Sequence, residues 1–451
     1  MTGIMPRREE LSKCLRRRAF YIEPRSASGE PSIDCGVLPS YPTPRTFLSR
    51  TKTFALLVLL CAVAALVGLR FSESLQGTDF PDFYCAARML AQGQGHQLYN
   101  ADIQHQYQAR YAGRVGTLYI HPPFEALLYL AVAWLPMRRA YLLWSFLNLA
   151  FMAIAARRLT NQVLPTWNWR YLVAASLTFV PLLLCCIQGQ DSLLLLLLVV
   201  LAFTDLRQGR AFVAGFWLGL GLFKFQLILP IVLVLVLTQS KPARNPLVKA
   251  FILVALALAA LSAVICGWSV FTVYPNFLAH LQQQPFAGIV PSAMANFRGF
   301  TYFFLHQSPG AVTALLMLSA AALIKTLTDW KRARLRSQPS SATSHHEFDL
   351  AFASTILFAL LISYHLNPHD LSLSLLPISL LLHHNLGRKP RLARAAKWIT
   401  LASLGILFLP PLHLWALKAG AYALVALPLL ALFLFGISSA RQDTATAVPA
   451  D

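Results

Sequence analysis

Long uninterrupted apolar runs, repeated along the chain, limit this sequence to one kind of fold. Residues 53–69, TFALLVLLCAVAALVGL, carry no charge over a length close to the roughly 20 residues that a helix needs to cross a bilayer. Comparable runs lie near 140–156, 171–187, 192–206, 211–223, 225–238, 248–267, 311–327, 350–365, 371–385, 398–412 and 414–437. In lipid the backbone must satisfy its own hydrogen bonds, so each run reads as a helix. Composition agrees. Of 451 residues 57% are hydrophobic and 12% charged, against about a quarter charged in soluble domains. The expectation is an all-α polytopic membrane protein with about twelve transmembrane helices over residues 53–437. No internal repeat is visible.

The net charge of +20 comes from 38 Lys and Arg against 18 Asp and Glu. A basic balance can signal nucleic-acid binding. Here the charges sit in short loops between apolar runs, which is the positive-inside pattern, and no nucleic-acid partner is expected. One segment decides the topology. Residues 122–136, PPFEALLYLAVAWLP, are short, open on two prolines and contain Glu125. If this segment does not cross, 29 Lys and Arg lie inside and 9 outside; if it crosses, the split becomes 15 and 23. The first arrangement is preferred. It places both termini in the cytoplasm, with 1–52 a disordered basic tail and 438–451 a second tail. It also leaves two long outer loops, 70–139 and 268–309. The first reads as short amphipathic helices, because 82–91 (DFYCAARMLA) has helical apolar spacing. Residues 337–347 read as a linker. The seven cysteines form no disulfide framework.

This topology gathers polar residues on the outer face: Glu73, Asp79, Asp82, Asp102, His121, Glu125, Asp191, Lys224, Arg298, His365, His369 and Asp370. Ionisable groups at membrane depth are costly and mark function by default. Lys224, in GLGLFKFQLILP, is either a lysine snorkelling to the headgroups or a phosphate contact. His369 and Asp370, in LNPHDLSL, are a helix start with an acid at the positive dipole end, or they bring an imidazole to a phosphate. Gln188 to Asp191 is a capping turn or part of a site. Asp79 and Asp82, in GTDFPDFY, admit three readings: a helix cap, a general base, or a pair of hard-cation ligands. With no further carboxylate nearby in sequence, no metal is assigned.

The runs DFPDFYCAARMLAQGQGHQLYN, LYIHPPFEALLYLAVAWLP, CIQGQDSLLLLLLVVLA and GFWLGLGLFKFQLILP, followed by NFRGFTYFF and NPHDLSLSLLP, resemble glycosyltransferase family 87 in that order. These are polyprenol-phosphate-mannose-dependent mannosyltransferases of the GT-C fold, and the likeness covers roughly 53–437. It implies a GT-C-type membrane domain in a bacterial plasma membrane with its active site on the outer face. It implies an acidic base in the first outer loop, at Asp79, and a histidine at the late outer junction, at His369. A polyprenyl-phosphate-linked sugar would be the donor and a lipid or glycan hydroxyl the acceptor, with inversion and without a cofactor. Lys224, Arg298 and His369 would bind the donor phosphate; Asp82, His121 and Gln190 are possible substrate contacts. The rival readings are a multi-span transporter or lipid flippase, which calls for repeats and broken mid-membrane helices, and a non-catalytic scaffold, whose polar groups need not meet.

Overall fold

The computed structural model describes residues 78–281, 289–336, 343–384 and 394–437, all within one unit, Thr53–Asp451. The first expected span, 53–69, both terminal tails and the start of the first loop lie outside the described residues.

The loop expected to be helical is helical. Helix α1, Phe80–Ala91, starts with Pro81 in its first turn, where a missing N–H costs nothing. Helix α2, Ala101–Ala112, is capped by Asn100, whose side chain accepts from the amides of Asp102 and Ile103. It ends on Gly113 at φ 67°. The 3₁₀ turn Pro123–Glu125 leads into α3, Ala126–Ala133. Together they make an apolar segment of eleven residues, too short to cross a bilayer as a helix.

Helices of varied length follow: α4, Met137–Gln162; α5, Trp169–Ser176; α6, Val180–Gln188; α7, Ser192–Arg207; α8, Ala211–Leu220; α9, Phe225–Thr238; and α10, Lys241–Cys266. The remainder comprises α11, Val270–Ala279; α12, Phe297–Leu305; α13, Pro309–Arg336; α14, Thr343–Ile362; α15, Leu375–His384; α16, Arg394–Leu407; α17, Pro410–Lys418; and α18, Ala426–Ala431. No strand occurs among the described residues.

Among the described residues, five helical stretches are long and apolar enough to cross a membrane, or seven if the bent pairs α5–α6 and α16–α17 each count as one crossing. This differs from the expected twelve in identifiable places. The runs 211–223 and 225–238 are not two crossings. They form one 28-residue path, Ala211–Thr238, joined through the 3₁₀ turn Gly221–Lys224. Lys224 therefore lies about midway along a crossing and not at its end. The run 171–187 is broken by a 78° bend, and α7 has only 16 residues. The linker expected over 337–347 is helical from Thr343.

Two apolar cores result. The larger is built around α7, which packs between α4 and α8 and buries nearly its whole length. The smaller is aromatic: Phe80, Phe83 and Tyr84 of α1 meet Tyr119, Tyr129, Tyr141 and Trp144. Gly189, the residue after α6, joins them. It takes φ +67°, and an added Cβ would stand 2.7 Å from the Phe80 side chain. Only glycine meets both conditions.

Candidate active site

Asp79 occupies the residue before α1, yet its side chain makes no capping bond. Its Oδ2 accepts from Nε2 of Gln190 at 2.6 Å, so the cap reading does not describe it. Asp82, one turn on, is tied elsewhere. It accepts from Gln108 Nε2 at 3.0 Å and from the Thr117 hydroxyl, anchoring the chain after α2 to α1. Burial raises both carboxyls above their ordinary range, Asp82 well above it. For Asp79 the Gln190 bond and the charges of His121, Lys224 and Arg114 oppose that rise.

The α6–α7 junction is the hinge of the site. The amide of Gln190 donates to Cys185 O at 3.0 Å, a capping turn as expected. Tyr129 donates to Gly189 O at 3.1 Å, and Trp144 and Asn148 donate to Gln190 O at 3.2 and 2.8 Å. Asp191 follows, fully buried. Its carboxyl lies within interaction range of that of Glu125, equally buried. Glu125 in turn lies 3.0 Å from His121 Nδ1. Burial pushes the Glu125 carboxyl up to about 8 and the His121 imidazole down to about 4.

Lys224 closes the network. Its ammonium is 3.2 Å from Asp191 Oδ1 and 2.9 Å from Asp370 Oδ1. The residue is 1% exposed, so it does not snorkel; burial at mid-crossing is offset by paired carboxylates, as buried charge demands. Asp370 serves twice. Its Oδ1 also accepts from Ser192 at 2.8 Å, while Oδ2 accepts from the Asn367 amide at 3.0 Å and secures the turn Pro368–Ser374, as the helix-start reading expected. His369 Nδ1 sits 3.1 Å from Gln188 Oε1, and its Nε2 is 3.6 Å from Asp370 Oδ1.

Asp79, His121, Gln190, Lys224 and His369 thus fall in one connected cluster. Arg298 stands at its edge. It donates to Tyr364 O at 2.7 Å, lies over the Tyr364 ring at 3.9 Å, and is within electrostatic range of His365. Among the described residues no three His, Cys, Asp or Glu side chains converge closely enough to hold a metal ion.

The sequence profile of glycosyltransferase family 87 matches residues 119–363, more than half of the chain. The chain belongs to glycosyltransferase family 87. No curated protein and no solved structure matches it. Family 87 membership makes it a membrane glycosyltransferase, in keeping with its apolar helices. The matched stretch contains His121, Glu125, Gln190, Asp191, Lys224 and Arg298. Asp79, Asp82, His369 and Asp370 lie beyond it and join the family 87 region only through contacts in space.

Two features of the cluster escape sequence reasoning. One is the buried pairing of the Glu125 and Asp191 carboxyls; the other is Gln188 as the partner of His369. Each pairs residues from separate elements, and no local spacing announces them.

Proposed function

We propose that the protein moves a sugar, mannose by its family likeness, from a polyprenyl-phosphate donor to an acceptor hydroxyl on the outer side of the membrane, with inversion. Asp79 is the general base. The observation that carries this is access: Asp82, Glu125, Asp191 and Asp370 are at most 5% exposed, while Asp79 alone of the five keeps a partly open surface. A base must reach its substrate, and a carboxyl raised by burial is better matched to a neutral-pH proton transfer.

The reaction balances simply. The acceptor O–H breaks as its proton passes to Asp79, and the oxygen pair bonds to the anomeric carbon. The bond from that carbon to the phosphate oxygen breaks, its electrons leaving with the polyprenyl phosphate. Lys224 and Arg298 are the cations of the cluster and His369, kept neutral by burial, is an N–H donor; the three are assigned to that phosphate. Lys224, already paired with two carboxylates, acts mainly through the placement of Asp191 and Asp370. Arg298 and His369 meet the phosphate oxygens as charge develops. The prenyl chain stays in lipid, which accounts for a membrane-embedded enzyme. The GT-C fold and the placement of the site on the outer side belong to this proposal.

Reconstituted in lipid vesicles, the protein is expected to turn over polyprenyl-phosphate mannose with an acceptor and to be inert with a nucleotide sugar alone. Turnover with the nucleotide sugar in the purified system overturns the donor assignment. Full turnover by Asp79→Asn overturns the base.

A further inference from the structure

We propose that Gln190 is a positioning residue for the base: it clamps one oxygen of the Asp79 carboxylate, holds the carboxylate ionised, and leaves Oδ1 to meet the acceptor hydroxyl. This rests on the assignment of Asp79 as base. The contact spans 111 residues of sequence at 2.6 Å, and Gln190 is 2% exposed.

The mount is rigid. Gln190 O is held by Trp144 and Asn148, its N–H by Cys185 O, and the preceding Gly189 is fixed against Phe80, the residue next to Asp79. The peptide that bears the amide therefore cannot turn without disturbing the start of α1. The amide's orientation is also determined. Oε1 is buried without a partner, a cost accepted because the reverse orientation would set an oxygen against the carboxylate. An N–H given to a carboxylate favours its charged form. Gln190 is the leading influence opposing the upward push of burial on Asp79.

Other groups face Asp79: Asp82 from its own helix, Arg114 and His121 from the chain between α2 and α3, Tyr129 from α3, and Lys224 from the long crossing. None of them reproduces the Gln190 bond. Tyr129 stays neutral at working pH because burial raises its hydroxyl well above the ordinary value, and His121 titrates near 4. A shift seen on changing Gln190 therefore reports on the clamp.

The test is the pH dependence of kcat/KM in vesicles for wild type, Gln190→Leu, Gln190→Glu and Asp79→Asn. Gln190→Leu is expected to move the acid limb to higher pH by about one unit, to lower the plateau roughly 10-fold through misorientation, and to leave the donor KM unchanged. Gln190→Glu keeps the side chain's shape, serves where the leucine variant does not accumulate, and moves the limb further up because a second carboxyl faces the first. An unmoved limb in either variant, with or without a lower plateau, overturns the proposal and leaves Gln190 structural. Loss of activity in Asp79→Asn beside an unmoved limb in the Gln190 variants defeats only the clamp; an active Asp79→Asn defeats the base assignment itself.

Discussion

Helix α7 carries acidic residues at both ends, and the two ends are built differently. They are separated by about 20 Å of helix, 14 residues at 1.5 Å each. At the Asp205 end the accounts balance. Asp205 receives Arg158 at 2.8 Å, Arg210, and the Trp217 indole at 2.8 Å. Asp349 receives Arg207 and His384, both at 2.9 Å. At the Asp191 end carboxyls outnumber cations. Asp79, Glu125, Asp191 and Asp370 lie around Lys224, with Asp82 beside Asp79. Among the described residues, most of the buried polar atoms without a hydrogen-bond partner lie here too, on Glu125, Asn148, Gln190, Asp191, His365 and His369, while the His346 ring near Asp349 lies at the other end. Native interiors leave few such atoms. Their concentration at one end separates a region kept for chemistry from one kept for stability.

Substitutions at the two ends sharpen or break that contrast. The largest effect is expected from Asp79→Asn, which should lower turnover about 10²–10⁴-fold with little change in melting temperature. Asp205→Asn should do the reverse, and a dead but fully stable Asp205→Asn would erase the distinction. Next comes Lys224→Ala, which strands two buried carboxylates. Removing one member of a buried pair costs about 3–5 kcal/mol, so a large drop in melting temperature should accompany lost activity. A stable Lys224→Ala would mean that Asp191 and Asp370 are already protonated. Arg207→Ala comes third. Its guanidinium is partly exposed, so solvent replaces part of what is lost, and the variant should be milder than Lys224→Ala and retain turnover.

The smallest effect concerns pH. Burial raises Glu125 from 4.5 to about 8 in the folded protein. Its contribution to stability is complete below pH 4.5 and is lost as pH rises towards 8. Glu125→Gln has no such loss. The difference in melting temperature between variant and wild type should therefore grow in the variant's favour from pH 5 to pH 8, by a few degrees. A constant difference would show that Glu125 is ionised throughout.

The helical class was legible because apolar runs of bilayer length allow nothing else. The helices of the first loop were legible from the spacing of 82–91. The count of crossings was not. Lys224 reads as the end of a run, since a charge between two apolar stretches normally marks a loop; two distant carboxylates let it lie mid-crossing instead. Asp79, His121, Gln190, Lys224 and His369 stood out as polar residues in apolar surroundings. Their connections did not, because Gln190 to Asp79 and His369 to Gln188 are contacts between elements far apart in sequence. Asp82 shows the opposite limit. Its spacing made it a candidate equal to Asp79, and only its bonds to Gln108 and Thr117 reveal an anchor.

The bond from Ser192 to Asp370 joins residues 178 positions apart. Ribosomes add roughly 5–20 residues per second. Lys224 is thus made about 7–30 s ahead of Asp370, the carboxylate that completes its charge balance. During that interval the nascent chain holds a lysine at mid-crossing with the Glu125–Asp191 pair as its nearby acid. The site is complete only once Asp370 has been made, and a product truncated before it would hold Lys224 in lipid with one of its two carboxylate partners missing.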